Sequence, residues 1–163
     1  MPTRKTSVAK LTSQKDTLSW AKQLADTLQP GESVALMGNP GSGTTVLAKA
    51  IAAAWGYEGQ INDSKNAVKE YPTPKGMIYH LDLSLLTRRE CQRFEFQNYF
   101  DKTALCLIEG AERAQSHLPR DVVEIYLRRV GENQREVKWT RRKRQNPKTR
   151  RRNPMSVARS SLD

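Results

Sequence analysis

Ser33-Val34-Ala35-Leu36-Met37 is a short, mostly apolar run that opens directly into Gly38-Asn39-Pro40-Gly41-Ser42-Gly43-Thr44-Thr45. The run reads as a buried parallel strand. The loop after it keeps the layout of a phosphate-binding P-loop, G-x-x-x-x-G-K-[ST], with Thr44 where the pattern has lysine. Beyond it, Thr45 to Trp55 is rich in helix formers and stops at Gly56, a natural residue just past a helix end. Strand, glycine loop, helix is the order that phosphate binding needs. Glycines let backbone N–H groups turn toward phosphate oxygens, and the helix N-terminus adds its partial positive charge. The lysine that would reach the terminal phosphates as a point charge is missing. Such a loop can still hold a nucleotide, whether it splits one is a separate question, and a Gly/Ser turn between two core elements is the alternative reading.

Outward from the loop, Ser7 to Leu11 predicts a first strand. Lys15 to Leu28 predicts a helix with Leu18, Ala21, Leu24, Ala25 and Leu28 on one face. Gln29-Pro30-Gly31 then turns the chain into the P-loop strand. Gly56 to Gly76 is polar and rich in turn residues, which predicts a long surface loop. Met77 to Leu83 is strand-like, Thr87 to Phe96 helical, and Ala104 to Ile108 a second continuous apolar strand that runs into Glu109. Val122 to Leu127 and Glu136 to Trp139 predict closing strands joined through Gly131. Helices alternating with buried strands imply an α/β fold, a P-loop NTPase-like three-layer sandwich around a mainly parallel sheet.

Two acids take meaning from these positions. Asp82 lies near the end of one predicted strand, and Glu109 follows another. In open α/β sheets ligands sit at the carboxyl ends of the strands, where the P-loop also emerges. A carboxylate there can hold Mg²⁺ or its waters beside the Thr45 hydroxyl, and the other can orient an attacking water. The alternative for each is a solvated strand-end acid. His80, in the same strand as Asp82, reads as a packing residue.

The 163 residues suit one domain, read as 1–137, followed by a basic tail, 138–163. No apolar run approaches the roughly 20 residues that span a bilayer, and Met1 to Lys15 is polar and basic, unlike a signal peptide. Cys91 and Cys106 form no CxxC pair or zinc spacing, which predicts small buried hydrophobes in a reducing cytoplasm. The net charge of +11 is concentrated at the end of the chain, where residues from Lys138 onward carry 10 Lys/Arg and one acid. That tail predicts disorder and an electrostatic arm for RNA, with a solubilising or targeting extension as the alternative.

The helix leading to Pro30-Gly31-Glu32 and the P-loop strand comes first, then a loop reaching Tyr71 and the stretch Ile78-Tyr79-His80-Leu81-Asp82-Leu83. Asn98-Tyr99-Phe100, Leu105 to Glu109, and Leu118-Pro119 before Val122 follow. In this order and spacing, about residues 7 to 137 resemble the TsaE (YjeE) family, the small ATPase subunit of the bacterial tRNA threonylcarbamoyladenosine machinery. The resemblance implies an ATP- and Mg²⁺-binding protein that associates with a transferase subunit and its paralogue. That assembly modifies the adenosine beside the anticodon in tRNAs reading codons that begin with A. It implies that Gly38, Asn39, Pro40, Gly41, Ser42, Gly43, Thr44 and Thr45 wrap the phosphates and that Thr45 and Glu109 ligate magnesium. Asp82 would be a catalytic or metal-linked acid, and Ser64 would stand for the threonine of a Ser-Pro-Thr switch loop.

The departures gather at the chemistry. Thr44 replaces lysine, Asn62-Asp63-Ser64 replaces Ser-Pro-Thr, Ser84 and Leu85 stand for tyrosine and arginine, and Gly110 for tryptophan. Losing the lysine removes a charged contact worth roughly 1.5–3 kcal/mol in the ground state. The loss to a transition state stabilised by charge is larger. Lys49, Lys65 or Lys69 could supply a cation instead. The reading is an ATP-binding subunit with impaired hydrolysis. A non-hydrolysing scaffold of the same family, or another small P-loop protein with an RNA-binding tail, is the alternative.

Overall fold

The computed structural model describes residues 5–61 and 65–141. The basic segment from 142 onward and the Asn62-Asp63-Ser64 stretch lie outside the described residues. A seven-stranded sheet runs in the order β1-β7-β6-β2-β5-β4-β3, with β1 Thr6–Leu11, β2 Ser33–Met37, β3 Val68–Thr73, β4 Gly76–Asp82, β5 Leu105–Glu109, β6 Val122–Arg129 and β7 Arg135–Arg141. The four central strands, β6, β2, β5 and β4, are mutually parallel. The edges are antiparallel, with β3 on one side and the β7–β1 pair on the other. Every residue of β2 and β5 is buried, because parallel strands covered on both faces need continuous apolar sequence.

One face carries α1 Gln14–Ala25 and α2 Thr44–Ala54. Ser13 caps α1 by accepting from the Asp16 amide at 3.1 Å. The helix ends at Ala25, short of the expected Leu28, and Leu18 is 50% exposed while Ala21, Leu24 and Ala25 are buried. Trp55, fully buried just past α2, donates its indole N–H to the Leu28 carbonyl at 3.1 Å and ties the two helix ends together. The opposite layer is thinner: α3 Arg88–Arg93, with a Thr87–Glu90 capping box, and 3₁₀ segments at Leu83–Leu85, Phe96–Tyr99 and Ala111–His117. The predicted helix from Thr87 to Phe96 is thus reduced to six residues.

The predicted loop from Gly56 to Gly76 is corrected at its end. Val68–Thr73 forms edge strand β3, pairing antiparallel with β4. Pro72 sits opposite Met77 within that pair. An edge strand leaves one side unpaired, so it tolerates a proline that reads as a strand breaker in sequence. β7 extends to Arg141, so Lys138–Arg141, read as the start of the tail, also belong to the sheet.

Candidate functional site

The chain leaves β2 at Met37 and enters α2 at Thr44 through the glycine loop. Gly43 is the N-cap residue of α2 at φ 100°, a left-handed conformation that glycine adopts without strain. Gly38 is dictated by space instead. A Cβ there would lie 2.5 Å from the Leu127 carbonyl oxygen and 2.5 Å from Ser42 Oγ. Ser42 is buried, and its hydroxyl has no hydrogen-bond partner among the described residues. Arg135 of β7 grips the loop from outside, with Nε donating to the Ser42 carbonyl at 2.8 Å and Nη2 to that of Gly41 at 3.4 Å. Carbonyl and following N–H point oppositely in a planar trans peptide, so this grip turns the Gly43 N–H away from Arg135. The sequence carries no local signal for Arg135, which stands before the basic run that begins at Lys138.

Beside the loop, the strand ends assemble a continuous hydrogen-bonded chain. The Thr45 hydroxyl donates to Glu109 Oε1 at 2.7 Å, and Glu109 Oε2 meets His80 Nε2 at 2.6 Å. His80 Nδ1 meets the Tyr71 hydroxyl at 2.9 Å. Glu109, His80 and Tyr71 are all buried, so Glu109 is not a solvated strand-end acid. Burial alone would raise the Glu109 carboxyl; hydrogen bonds from His80 and Thr45, the His80 charge and a Thr44 hydrogen bond outweigh it and hold the group below its ordinary value. Burial, reinforced by Tyr57 and Glu109, pushes the Tyr71 phenol up to about 12. The phenol therefore keeps its proton beside Nδ1, and its contact with the ring braces the imidazole against Glu109. His80 is more than a packing residue: it orients the carboxylate.

Asp82 is the register partner of Glu109 across the parallel β4–β5 pair, which brings the two expected acids together on one face. Its Oδ1 accepts from the Ser84 amide at 3.1 Å and the Ser84 hydroxyl at 2.5 Å, capping the following 3₁₀ turn. That turn packs on Gly110, whose φ of 65° and missing Cβ admit it; a Cβ would come within 3.2 Å of the Ser84 amide nitrogen. Gly110 and Ser84 therefore meet at one turn. Ser64, expected in the switch loop, lies outside the described residues.

Two cavities flank the loop, one of about 390 Å³ between Met37–Pro40 and Tyr126–Arg129, the other of about 560 Å³ beside Gly43, Ser13, Thr17 and Asn133. Thr45, Asp82 and Glu109 line neither. No group of three or more His, Cys, Asp or Glu among the described residues could cage a metal. The paired Thr45 and Glu109 oxygens instead suit a hard cation that brings phosphate oxygens and water with it, as Mg²⁺ does. Cys91 and Cys106 are free and buried. Among the described residues no helix is long and apolar enough to cross a membrane.

The family model described as Threonylcarbamoyl adenosine biosynthesis protein TsaE matches residues 11–137. The tRNA threonylcarbamoyladenosine biosynthesis protein TsaE of Bacillus subtilis is 29% identical over 126 residues, covering 77% of this chain and 79% of the relative. The protein of the same name from Treponema pallidum is 28% identical over 133 residues, covering 77% of this chain and 93% of the relative. In three dimensions the crystal structure of Bacillus subtilis YdiB superposes with a TM-score of 0.72 at 24% identity, over 86% of this chain and 88% of that one, which establishes a shared fold. From Leu11 at the end of β1 to Val137 within β7, the chain belongs to the TsaE family of threonylcarbamoyladenosine biosynthesis proteins.

Proposed function

We propose that this chain is the ATP-binding subunit of a tRNA threonylcarbamoyladenosine modification system, with Mg²⁺ as its metal and slow hydrolysis. The observation that carries the reading is the Thr45 hydroxyl held 2.7 Å from a buried carboxylate, Glu109, at the mouth of a glycine loop. In this reading the backbone from Gly38 to Thr45 holds the phosphates, and Thr45 and Glu109 hold the metal. The cation, when bound, neutralises charge on the transferring phosphoryl group. His80 and Tyr71 fix the direction of the carboxylate, as partners behind a metal ligand do. Asp82 stands one strand away from Glu109 to orient water, and Ser84 holds one of its oxygens. The roughly 560 Å³ cavity beside Gly43 offers room for the nucleoside. The partners in this reading are a transferase subunit and its paralogue, in the cytoplasm, with the tail from 142 onward adding affinity for tRNA.

Thr44 supports a second reading, in which nucleotide is bound but not turned over and the protein serves as a scaffold. A Thr44→Lys variant separates the two. Restoring the cation is expected to raise the steady-state ATP hydrolysis rate by tenfold or more, the scale of one electrostatic contact in phosphoryl transfer. A wild-type rate already equal to that of a lysine-bearing relative, with no gain on substitution, would sink the impaired-site reading. No turnover in either protein, despite ATP binding, would establish the scaffold.

A further inference from the structure

The glycine loop lacks a cation of its own, since Thr44 stands where the pattern has lysine. Two guanidiniums border the site, and both are committed to backbone. Arg135 donates to the Ser42 and Gly41 carbonyls, and Arg113, just past Glu109, donates to those of Leu83 and Leu86. The register of the sheet brings a lysine to the same place. In β3, Lys69 lies opposite His80 and Tyr71 opposite Ile78. Residues two apart on a strand share a face, and directly opposed residues share it too. On that face the Tyr71 hydroxyl meets His80 Nδ1, and His80 Nε2 meets Glu109. Because β3 runs antiparallel to β4, Lys69 stands nearer than Tyr71 to the sheet end where Asp82 and Glu109 pair. The Asp82 amide donates to the Ala67 carbonyl at 2.8 Å, which fixes the backbone beside Lys69. Ala67, the next residue on that face, is too short to block the way to Asp82.

Building on the ATP-binding reading, we propose that Lys69 supplies the cation for the terminal phosphate in place of the missing loop lysine. Its backbone is two strand spacings from that of Glu109, about 10 Å. Both side chains rise from the same face, and lysine carries a point charge on a flexible four-carbon stem. Its ammonium therefore comes within reach of a phosphate held between Thr45 and this edge of the sheet. Half-buried on an edge strand, Lys69 keeps its head toward water until the nucleotide arrives. Lys49 is the other lysine on an element of the site. It starts about 7.5 Å beyond Thr44 along the α2 axis. From there it lies behind Thr45, whose hydroxyl is already on Glu109. Lys69 comes from the front, over the imidazole.

The test titrates ATP and ADP, each with Mg²⁺, into the full chain as wild type, Lys69→Met, Lys69→Arg and Lys49→Met. Lys69→Met is then repeated in a Thr44→Lys background. Lys69→Met should weaken ATP binding by about tenfold or more, the scale of one charged contact. ADP, which has no terminal phosphate to lose, should weaken far less and reports that the variant is folded. Lys69→Arg should keep most of the ATP affinity, and Lys49→Met should show no loss selective for ATP. With Thr44→Lys in place the loop carries its own cation, so Lys69→Met should then cost little. A lysine with a purely structural role would cost the same in both backgrounds and with both nucleotides. The assignment is overturned if Lys69→Met binds ATP like wild type, if ATP and ADP weaken equally, or if the loss persists undiminished beside Thr44→Lys. It is also overturned if Lys49→Met produces the selective loss. No ATP binding by the folded wild type would overturn the ATP-binding reading and this assignment with it, whereas ATP binding indifferent to Lys69 overturns the assignment alone.

Discussion

Glu109 shows how one residue's environment decides its chemistry. A buried carboxylate is held ionised by donors on two elements, Thr45 at the start of α2 and His80 in β4, with Tyr71 of β3 bracing the imidazole from behind. Removing His80 leaves Glu109 Oε2 buried without its partner. His80→Ala should therefore lower stability by about 1–3 kcal/mol in chemical denaturation. It should weaken ATP binding more with Mg²⁺ than without, as measured by parallel titrations. The two acids were legible in the sequence, because each ends a hydrophobic run and strand ends are where α/β sheets place their ligands. The imidazole and phenol were not. A histidine flanked by apolar residues reads as packing, and its partner in β3 became visible only once that segment proved to be a strand.

β3 and β7, the elements whose reading changed most, each support the site from an edge. β3 supplies Tyr71 and was concealed by Pro72, which only an edge position accommodates. β7 supplies Arg135, which fastens the glycine loop by its carbonyls from 93 and 94 residues away along the chain. No local pattern predicts such a contact, whereas the strand–loop–helix around Gly38 was plain because all its determinants are adjacent. Arg135→Ala should leave the fold in place and loosen the loop. The expected result is an ATP dissociation constant raised by about tenfold, consistent with losing charged hydrogen bonds worth about 1.5–3 kcal/mol. Faster amide exchange at Gly43 and Thr44 should accompany it. Unchanged affinity would show that the loop organises itself without the clamp.

For the whole molecule, the core sheet and the proposed nucleotide site share a residue, because Glu109 is both a buried strand residue and a proposed metal ligand. Its carboxyl titrates below the ordinary value near 4.5 when folded, so its contribution to stability is present above that value and is lost as pH falls through the lower folded one. Wild type should lose stability below about pH 4.5, and Glu109→Gln should show a shallower acid limb in denaturation measured across that range. The most direct measurement is calorimetric titration of ATP into wild type and Glu109→Gln, each with and without Mg²⁺. The account predicts that wild type binds ATP with a clear gain from Mg²⁺, and that Glu109→Gln still binds ATP but loses most of that gain. No ATP binding by the folded wild-type chain, or an equal Mg²⁺ gain in both proteins, would contradict it.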